Sequence, residues 1–435
     1  MPNLVVTNAC NLGCPFCFAT EYRADPSTGA PAAVMSVEEF GTLVQDQPDR
    51  VRFCGGEPTL HPRFLDLLAV SLAVPGRRVL VMTNGLWPSP VRQAIRGLHP
   101  RDRSRLSFLF NVLEPHLYGP GQETLLHDTL RVVHPRAVTL GLTFHAPPFR
   151  FAFLLELARR YHVPSLRFSV AAPNTTDPAT WLLDPERDFP ALAVSVHALV
   201  TQARALRLHV HSDCGYVPPC MFTARQLSDI STPHPTSPAS FHCHGPVDVG
   251  PGGQAWRCYG LYALVQAHVA DADGPGALAA DLEAQAARLS HRLLMDRCAE
   301  CPLHADGTCG GGCLAFRVAR SLRLKAAAAG IPVADEAGLL AWVPVVDGQS
   351  LRRLGSGPHA VLMTRGEEGW EPLSASAVES RLVALADGQR TLQDVAALLP
   401  DLPRSAVTRA ARRLLEHGGF TLELAPRTTP PKLSP

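Results

Sequence analysis

Residues 4–17 read Leu4-Val5-Val6-Thr7-Asn8-Ala9-Cys10-Asn11-Leu12-Gly13-Cys14-Pro15-Phe16-Cys17, an apolar stretch that runs straight into three cysteines spaced C-x3-C-x2-C. The β-branched start reads as the first strand of the fold, so the thiols sit on the loop leaving that strand's C-terminal end. Three thiolates on one short loop leave a structural zinc under-coordinated, because closed zinc sites take four ligands. A [4Fe–4S] cube has four irons, and three cysteines leave one of them open. A substrate can chelate there, unlike in an electron-transfer cluster closed on every side by cysteine. Buried core thiols and one arm of a zinc site are the alternatives for the triplet taken alone.

Outward from this loop, Phe53-Cys54-Gly55-Gly56-Glu57-Pro58 follows a second strand-like stretch, Arg50–Phe53, about one βαβ unit later. Two glycines let backbone approach a ligand closely, and a carboxylate can hold an ammonium group. A lone Gly-Gly is usually a turn; with the triplet it becomes a strong signal. Cys54 reads as a small buried residue beside the glycine turn.

The CxxxCxxC loop at Cys10–Cys17 and the GGEP motif at Gly55–Pro58 resemble those of the radical S-adenosylmethionine (AdoMet) superfamily, over roughly the first 210 residues. The stretch Val79-Leu80-Val81-Met82-Thr83-Asn84-Gly85 is similar to the family's strand that follows GGEP. The resemblance implies that Cys10, Cys14 and Cys17 hold a [4Fe–4S] cluster whose open iron chelates AdoMet. It also implies that Gly55, Gly56 and Glu57, leading into Pro58, hold the AdoMet ammonium, and that Phe16 lies against the adenine. The implied fold is α/β, a partial (β/α)6 TIM barrel. Later apolar runs at Leu106–Val112, Val138–Phe144 and Ser165–Val170, alternating with helix-like Phe151–Tyr161 and Ala191–Leu206, have the cadence that this fold requires. Ligands in such folds sit at C-terminal strand ends, which makes Asn111 a candidate AdoMet ribose or carboxylate contact; an Asn there more often caps a loop.

A second cysteine field begins at Phe241. Cys243 and Cys258 flank a Gly252-Gly253 turn between short β-like arms, and after a helical Leu278–Leu294 comes Cys298-x2-Cys301-x7-Cys309-x3-Cys313. Glycines between ligands let bare backbone wind round a cluster. This pattern resembles the SPASM extension of peptide-modifying radical AdoMet enzymes, with two departures. Cys301 and Cys309 are separated by seven residues instead of five, and no cysteine follows Cys313. Of twelve cysteines, eight remain once the triplet and Cys54 are set aside. By the family pattern, Cys220, Cys243, Cys258 and Cys313 ligate one auxiliary [4Fe–4S] cluster and Cys298, Cys301 and Cys309 another. Cys214 is then either the missing ligand or a bystander. An open second cluster, a single auxiliary cluster and a zinc site are the alternatives, with His242, His244 and His304 as substitute ligands.

Between about residues 326 and 358 the cysteines stop and the text turns Ala-, Gly- and Pro-rich, which reads as a junction. Beyond it come a strand-like His359–Met363, a helical Ser376–Ala386, an Asp387-Gly388 stop and a helix opened by Thr391 with Asp394 three residues on. A third helix follows Pro403 with Val407, Ala411, Leu414 and Leu415 on one stripe, and Gly418-Gly419 precede a strand Phe420–Leu424. This order resembles the small winged-helix RiPP recognition element, a domain that binds a precursor's leader as an added strand. A winged helix is also a DNA-binding shape, and Arg404, Arg409, Arg412 and Arg413 cluster on the last helix.

The expected division is 1–210 barrel, 211–325 SPASM-like extension, 326–357 linker, 358–425 winged-helix-like α+β domain and 426–435 tail. A chain of 435 residues, 46% hydrophobic and 18% charged, has material for two or three cores. Basic and acidic residues nearly cancel, 40 against 39, so no global field draws the protein to nucleic acid or a membrane. No run approaches the ~18 apolar residues of a membrane span, and no signal-peptide pattern opens the chain. A cytoplasmic location is expected. The resemblance implies an oxidoreductase that takes an electron from a donor such as flavodoxin or ferredoxin. It would cleave AdoMet to methionine and a 5′-deoxyadenosyl radical and abstract hydrogen from a ribosomally made peptide or a protein. The same chemistry on a small molecule or a sulfatase-type side chain is one alternative; a metal-binding winged-helix DNA regulator is another.

Overall fold

The computed structural model describes the chain except residues 1, 21, 25–30, 46, 48, 176–179, 214–216, 232–240, 244, 263, 329–341, 347–350, 355–360, 367–368, 374–376, 387–389, 403, 417–419 and 425–435. It forms two compact units, Met1–Ala319 and Arg320–Pro435. In the first unit seven strands lie side by side in chain order: β1 (Asn3–Thr7), β2 (Arg50–Gly55), β3 (Arg78–Thr83), β4 (Leu106–Asn111), β5 (Val138–Phe144), β6 (Ser165–Val170) and β7 (His209–Ser212). Every pair from β1·β2 to β6·β7 is parallel.

Parallel neighbours need a crossover, and each crossover here carries a helix: Val37–Gln45, Phe64–Leu72, Ser89–Gly97, Gln122–Leu130, Ala152–Tyr161 and Pro185–Ala205. Six βα units therefore precede β7, as the strand–helix cadence predicts. All five residues of β1 are buried, as are Phe53, Val81 and Phe110 on the neighbouring strands, and Val5 packs with Trp256 and Tyr259. The sheet does not close; β7 is one edge.

The opposite side of β1 is where the structure departs from the expected layout. β8 (Asp248–Val249) pairs with β1 in parallel, and β9 (Gln254–Trp256) and β10 (Gln266–His268) extend the same sheet antiparallel. The cysteine-rich stretch after 210 is thus continuous with the barrel sheet, because a strand as buried as β1 needs backbone partners on both edges. The expected Gly252-Gly253 turn links β8 to β9, both glycines at positive φ. The predicted helix is present as Pro275–Arg292.

In the second unit β11 (Trp342–Val346) pairs antiparallel with the chain's last strand, β15 (Phe420–Leu424), while β12 (Leu351–Leu354), β13 (Val361–Gly366) and β14 (Gly369–Leu373) form an antiparallel meander. The stretch 326–357 expected as a linker therefore supplies two strands. The run Trp-Val-Pro-Val-Val reads as a Pro-rich junction, yet a two-stranded ribbon tolerates Pro344. Three helices, Ala377–Leu385, Leu392–Ala397 and Arg404–Glu416, bury Leu382, Leu392, Val395, Val407, Ala411 and Leu414 against one another. The second of them opens in a full capping box: Thr391 Oγ1 accepts from Asp394 N at 3.2 Å and the Asp394 carboxylate accepts from Thr391 N at 3.0 Å. His359, Pro403, the Asp387-Gly388 stop and Gly418-Gly419 lie outside the described residues. Among the described residues no helix is long and apolar enough to cross a membrane.

The β1–β8 seam contains a buried carboxyl, Asp248, which accepts from Asn3 Nδ2 at 2.7 Å. Burial pushes its pKa up to about 7. An unfolded Asp titrates near ~4, so between these values the folded chain holds more protons. The stability from the neutral form is complete below about pH 4 and is lost as pH rises through about 7. Asp248→Asn keeps an acceptor for Asn3 and cannot ionise. Urea unfolding of this variant should lose the decline in stability across that window; an unchanged slope would place the titration elsewhere.

Candidate active site

The three thiols of Cys10, Cys14 and Cys17 lie on the loop that leaves β1, and burial together with their mutual repulsion pushes Cys14 up to about 12 and raises Cys10 as well. Cys17 N donates to Cys14 O at 3.1 Å, closing the loop on itself, and Arg23 Nη1 braces it by donating to Leu12 O at 3.0 Å. Among the described residues no three His, Cys, Asp or Glu side chains converge closely enough to hold a single metal ion. Three soft thiols that repel one another as anions, with Arg23 as a cationic neighbour, are a donor set that fits an iron–sulfur group.

The glycine motif sits directly beside this loop. Gly56 N donates to Thr7 O at 2.9 Å and Glu57 N to Ala9 O at 2.7 Å, so the β1–β2 pairing continues past the strand ends. A Cβ on Gly56 would stand 2.2 Å from Ala9 O, and one on Gly55 2.4 Å from Thr7 O. The close approach that requires glycine is to the chain's own backbone.

Glu57, expected at the AdoMet ammonium, is bound into the fold by its neighbours. Its carboxylate is fully buried and turned inward, accepting from Thr59 N at 3.1 Å, Thr59 Oγ1 at 2.6 Å, Thr83 Oγ1 at 2.8 Å and Asn84 N at 2.7 Å. Four interior donors thus surround it. Burial raises its pKa, and the donors from Thr59, Asn84 and Thr83 oppose that rise.

The Thr83-Asn84-Gly85 end of β3 completes the assembly. Thr83 Oγ1 accepts from Trp87 Nε1 at 2.8 Å, and Asn84 Nδ2 donates to Asn11 Oδ1 at 2.8 Å and points to Cys10 Sγ at 3.9 Å. Asn11 Nδ2 donates in turn to Leu86 O at 3.0 Å. Reading the sequence singled out the Thr-Asn-Gly end without giving Thr83, Asn84 or Asn11 a site role; polar residues directly after an apolar strand were the available signal.

Phe16 packs on His145, ring centroids 4.6 Å apart, where β5 ends. His145, the first residue after that strand, is a further strand-end residue that the sequence reading missed. Asn111 is exposed at the C-terminal end of β4, its Oδ1 over Gly141. Cys54 packs against the Val5, Trp256 and Tyr259 cluster, away from the triplet's ligand role.

The remaining cysteines fall into two groups that differ from the expected division. Cys243 and Cys313 share a hydrogen bond, with Cys258 beside them; donation from Cys313 and the adjacent Arg257 lower Cys243, while Cys313 is raised. Cys220 lies instead within electrostatic reach of Cys309, Cys301 and Cys298. The family pattern had made Cys220 a companion of Cys243, Cys258 and Cys313. Cys214 and His244 lie outside the described residues. His242 and His304 bond to backbone carbonyls, Gly307 O at 2.8 Å and Cys309 O at 2.9 Å.

The two cysteine fields are physically joined. Tyr22, just after the first loop, packs on Trp256 and Tyr259 at 5.0 and 6.0 Å between centroids, and Phe18 meets Tyr259 edge-on at 5.3 Å. Asn174 Nδ2 donates to Phe18 O at 3.1 Å, and Thr175 N to Gly260 O at 3.0 Å.

Residues 4–111, from β1 through the end of β4, match the model of the Radical SAM superfamily. This stretch, on the open parallel sheet, is thus similar to the domain of that superfamily. A 7-carboxy-7-deazaguanine synthase of Hyperthermus butylicus is 39% identical over 83 residues, 19% of this chain and 34% of that protein. A GTP 3′,8-cyclase of Stenotrophomonas maltophilia is 37% identical over 87 residues, 19% of this chain and 26% of that protein. The chain thus spans about a quarter to a third of the length of these relatives. Among solved structures, Streptococcus suis SuiB is similar with a TM-score of 0.49 and 16% identity over 72% of each chain.

Glu57→Gln turns an amide N–H₂ toward groups that are themselves donors. This should cost about 2–4 kcal/mol of unfolding free energy. Asn111→Ala, at an exposed position, should leave stability within about 0.5 kcal/mol of the parent. Denaturant titration of both variants checks the pair, and equal stability for Glu57→Gln would remove Glu57 from its structural role.

Proposed function

We propose that the chain is a radical AdoMet maturase that modifies a ribosomally made peptide or a protein. The observation that carries the reading is the set of three thiols on the β1 loop, fixed from beneath by Gly56, Glu57, Thr83 and Asn84. When bound, the cluster and AdoMet supply reductive cleavage of a sulfonium and a carbon radical able to take hydrogen from an unactivated position.

In this reading, Cys10, Cys14 and Cys17 hold the cluster, and the loop geometry keeps their thiols on one side. Asn84 and Asn11 set the rotation of the loop above β3. Phe16 offers an aromatic face for a base, with His145 supporting its other side. Asn111 presents a polar group from the floor of the strand-end cleft. The buried core beneath these ends excludes water from that side of the reaction.

A peptide substrate is supported by the second unit, where the meander β12–β13–β14 has outer strands with no further strand beside them among the described residues. An extended leader can add to such an edge. The DNA-regulator reading loses support at Arg413, which is bound to the buried Glu379 at 2.8 Å instead of facing a phosphate.

Anaerobically reconstituted protein should be brown, hold roughly eight to twelve irons per chain and form deoxyadenosine from AdoMet under reductant. Cys14→Ala should abolish deoxyadenosine formation, whereas Cys309→Ala should spare uncoupled cleavage and stop product formation on a coexpressed precursor peptide. Colourless, zinc-bearing protein that retards DNA would overturn the proposal.

A further inference from the structure

We propose that Cys220, on the turn Pro219–Met221, is the fourth thiolate of the site formed by Cys298, Cys301 and Cys309, closing an iron–sulfur cube there. Cys243, Cys258 and Cys313 then form a separate site. The inference rests on the reading that this region holds auxiliary clusters, and it assigns their ligands.

The placement comes from packing between two distant segments. Arg297 Nη1 donates to Met221 Sδ at 3.6 Å, which ties the residue after Cys220 to the residue before Cys298. A Cβ on Gly312 would lie 3.6 Å from Pro218 Cγ, so the start of the same turn rests on the glycine run between Cys309 and Cys313. The turn is closed by Met221 N to Pro218 O at 3.0 Å and Phe222 N to Pro219 O at 3.1 Å, with the Cys220 side chain exposed at its tip.

The other three thiols are arranged by local backbone. Cys301 N donates to Cys298 O at 3.3 Å, and the seven intervening residues up to Cys309 are taken up by one helical turn, Pro302–Ala305. Cys309 N then returns to Leu303 O at 2.7 Å, bringing its thiol back beside the pair. The unusual spacing is therefore absorbed without moving Cys309 out of the set. No cysteine follows Cys313 to close the site from downstream, and Cys220 reaches it from upstream.

Charge is compensated separately at each group. Arg257, buried, donates through Nε to Glu283 at 2.9 Å and reaches Cys243 Sγ at 3.9 Å. Arg297 and the buried Arg317 stand by the other group, Arg317 held by Ser290 Oγ at 2.7 Å. Thiolate clusters are anionic, so a guanidinium beside each one lowers the cost of holding it in the interior.

The test uses full-length protein reconstituted anaerobically, with iron and zinc content and the EPR spectrum of the reduced protein as readouts. Cys220→Ala and Cys301→Ala should alter the same auxiliary signal. Cys301→Ala should lower iron by about four per chain, and the double variant should match Cys301→Ala. Cys243→Ala should alter the other signal and add to the effect of Cys220→Ala. Circular dichroism and the AdoMet-induced shift of the first cluster's signal report folding, and Cys220→Ser should shift the same signal as Cys220→Ala if the alanine variant is unstable. A Cys220→Ala protein that changes the Cys243-dependent signal, or neither signal, overturns the assignment while leaving auxiliary clusters in place. Wild-type protein with only about four irons, or with zinc in this region, overturns the underlying reading as well.

Discussion

A buried carboxylate organises the site end of this sheet. Parallel strands are held along their length by ladders, but beyond their last paired residues the loops have no such reference. Glu57 provides one: its oxygens gather donors from Thr59 on its own turn and from Thr83 and Asn84 at the end of β3. Desolvation raises the cost of the charge, and four hydrogen bonds offset it, so the arrangement tolerates little displacement. Through Asn84 and Asn11 the same network reaches the loop bearing Cys10. The cysteine triplet is thereby referenced to two neighbouring strands and not only to the one it leaves.

The second dependence is on β1 itself. It lies between β2, which brings the glycine motif, and β8, which brings the second cysteine field. Because β1 is buried along its whole length, both partners are needed, and the strands leading from the two fields become parts of one sheet. Tyr22, Trp256, Tyr259 and Tyr262 fill the wedge between them. The second cysteine field is thereby placed on the flank of the first by backbone pairing and aromatic packing.

Much of this was readable from residue order because it depends on local spacing. The C-x3-C-x2-C triplet, the Gly-Gly-Glu-Pro turn, the six-unit strand–helix cadence and the Thr391 cap are set by neighbours within a few residues, where periodicity and turn chemistry act directly. The interior partners of Glu57 (Thr59, Thr83 and Asn84) were not foreseen, since a carboxylate after two glycines looks the same in sequence whatever surrounds it. The glycines read as sites of close approach to a ligand, and in the fold they lie against the backbone of Thr7 and Ala9, some fifty residues away.

The chain order alone therefore determined which residue types could do the chemistry and which elements would carry them. The tertiary structure decided which distant groups meet: β8 against β1, Asn84 against Cys10, and the turn of Met221 against Arg297. The reason is that local preference acts over a few bonds, whereas a thiol's neighbours are chosen by how buried strands find backbone partners and how turns pack, and neither is encoded at the position of the cysteine itself.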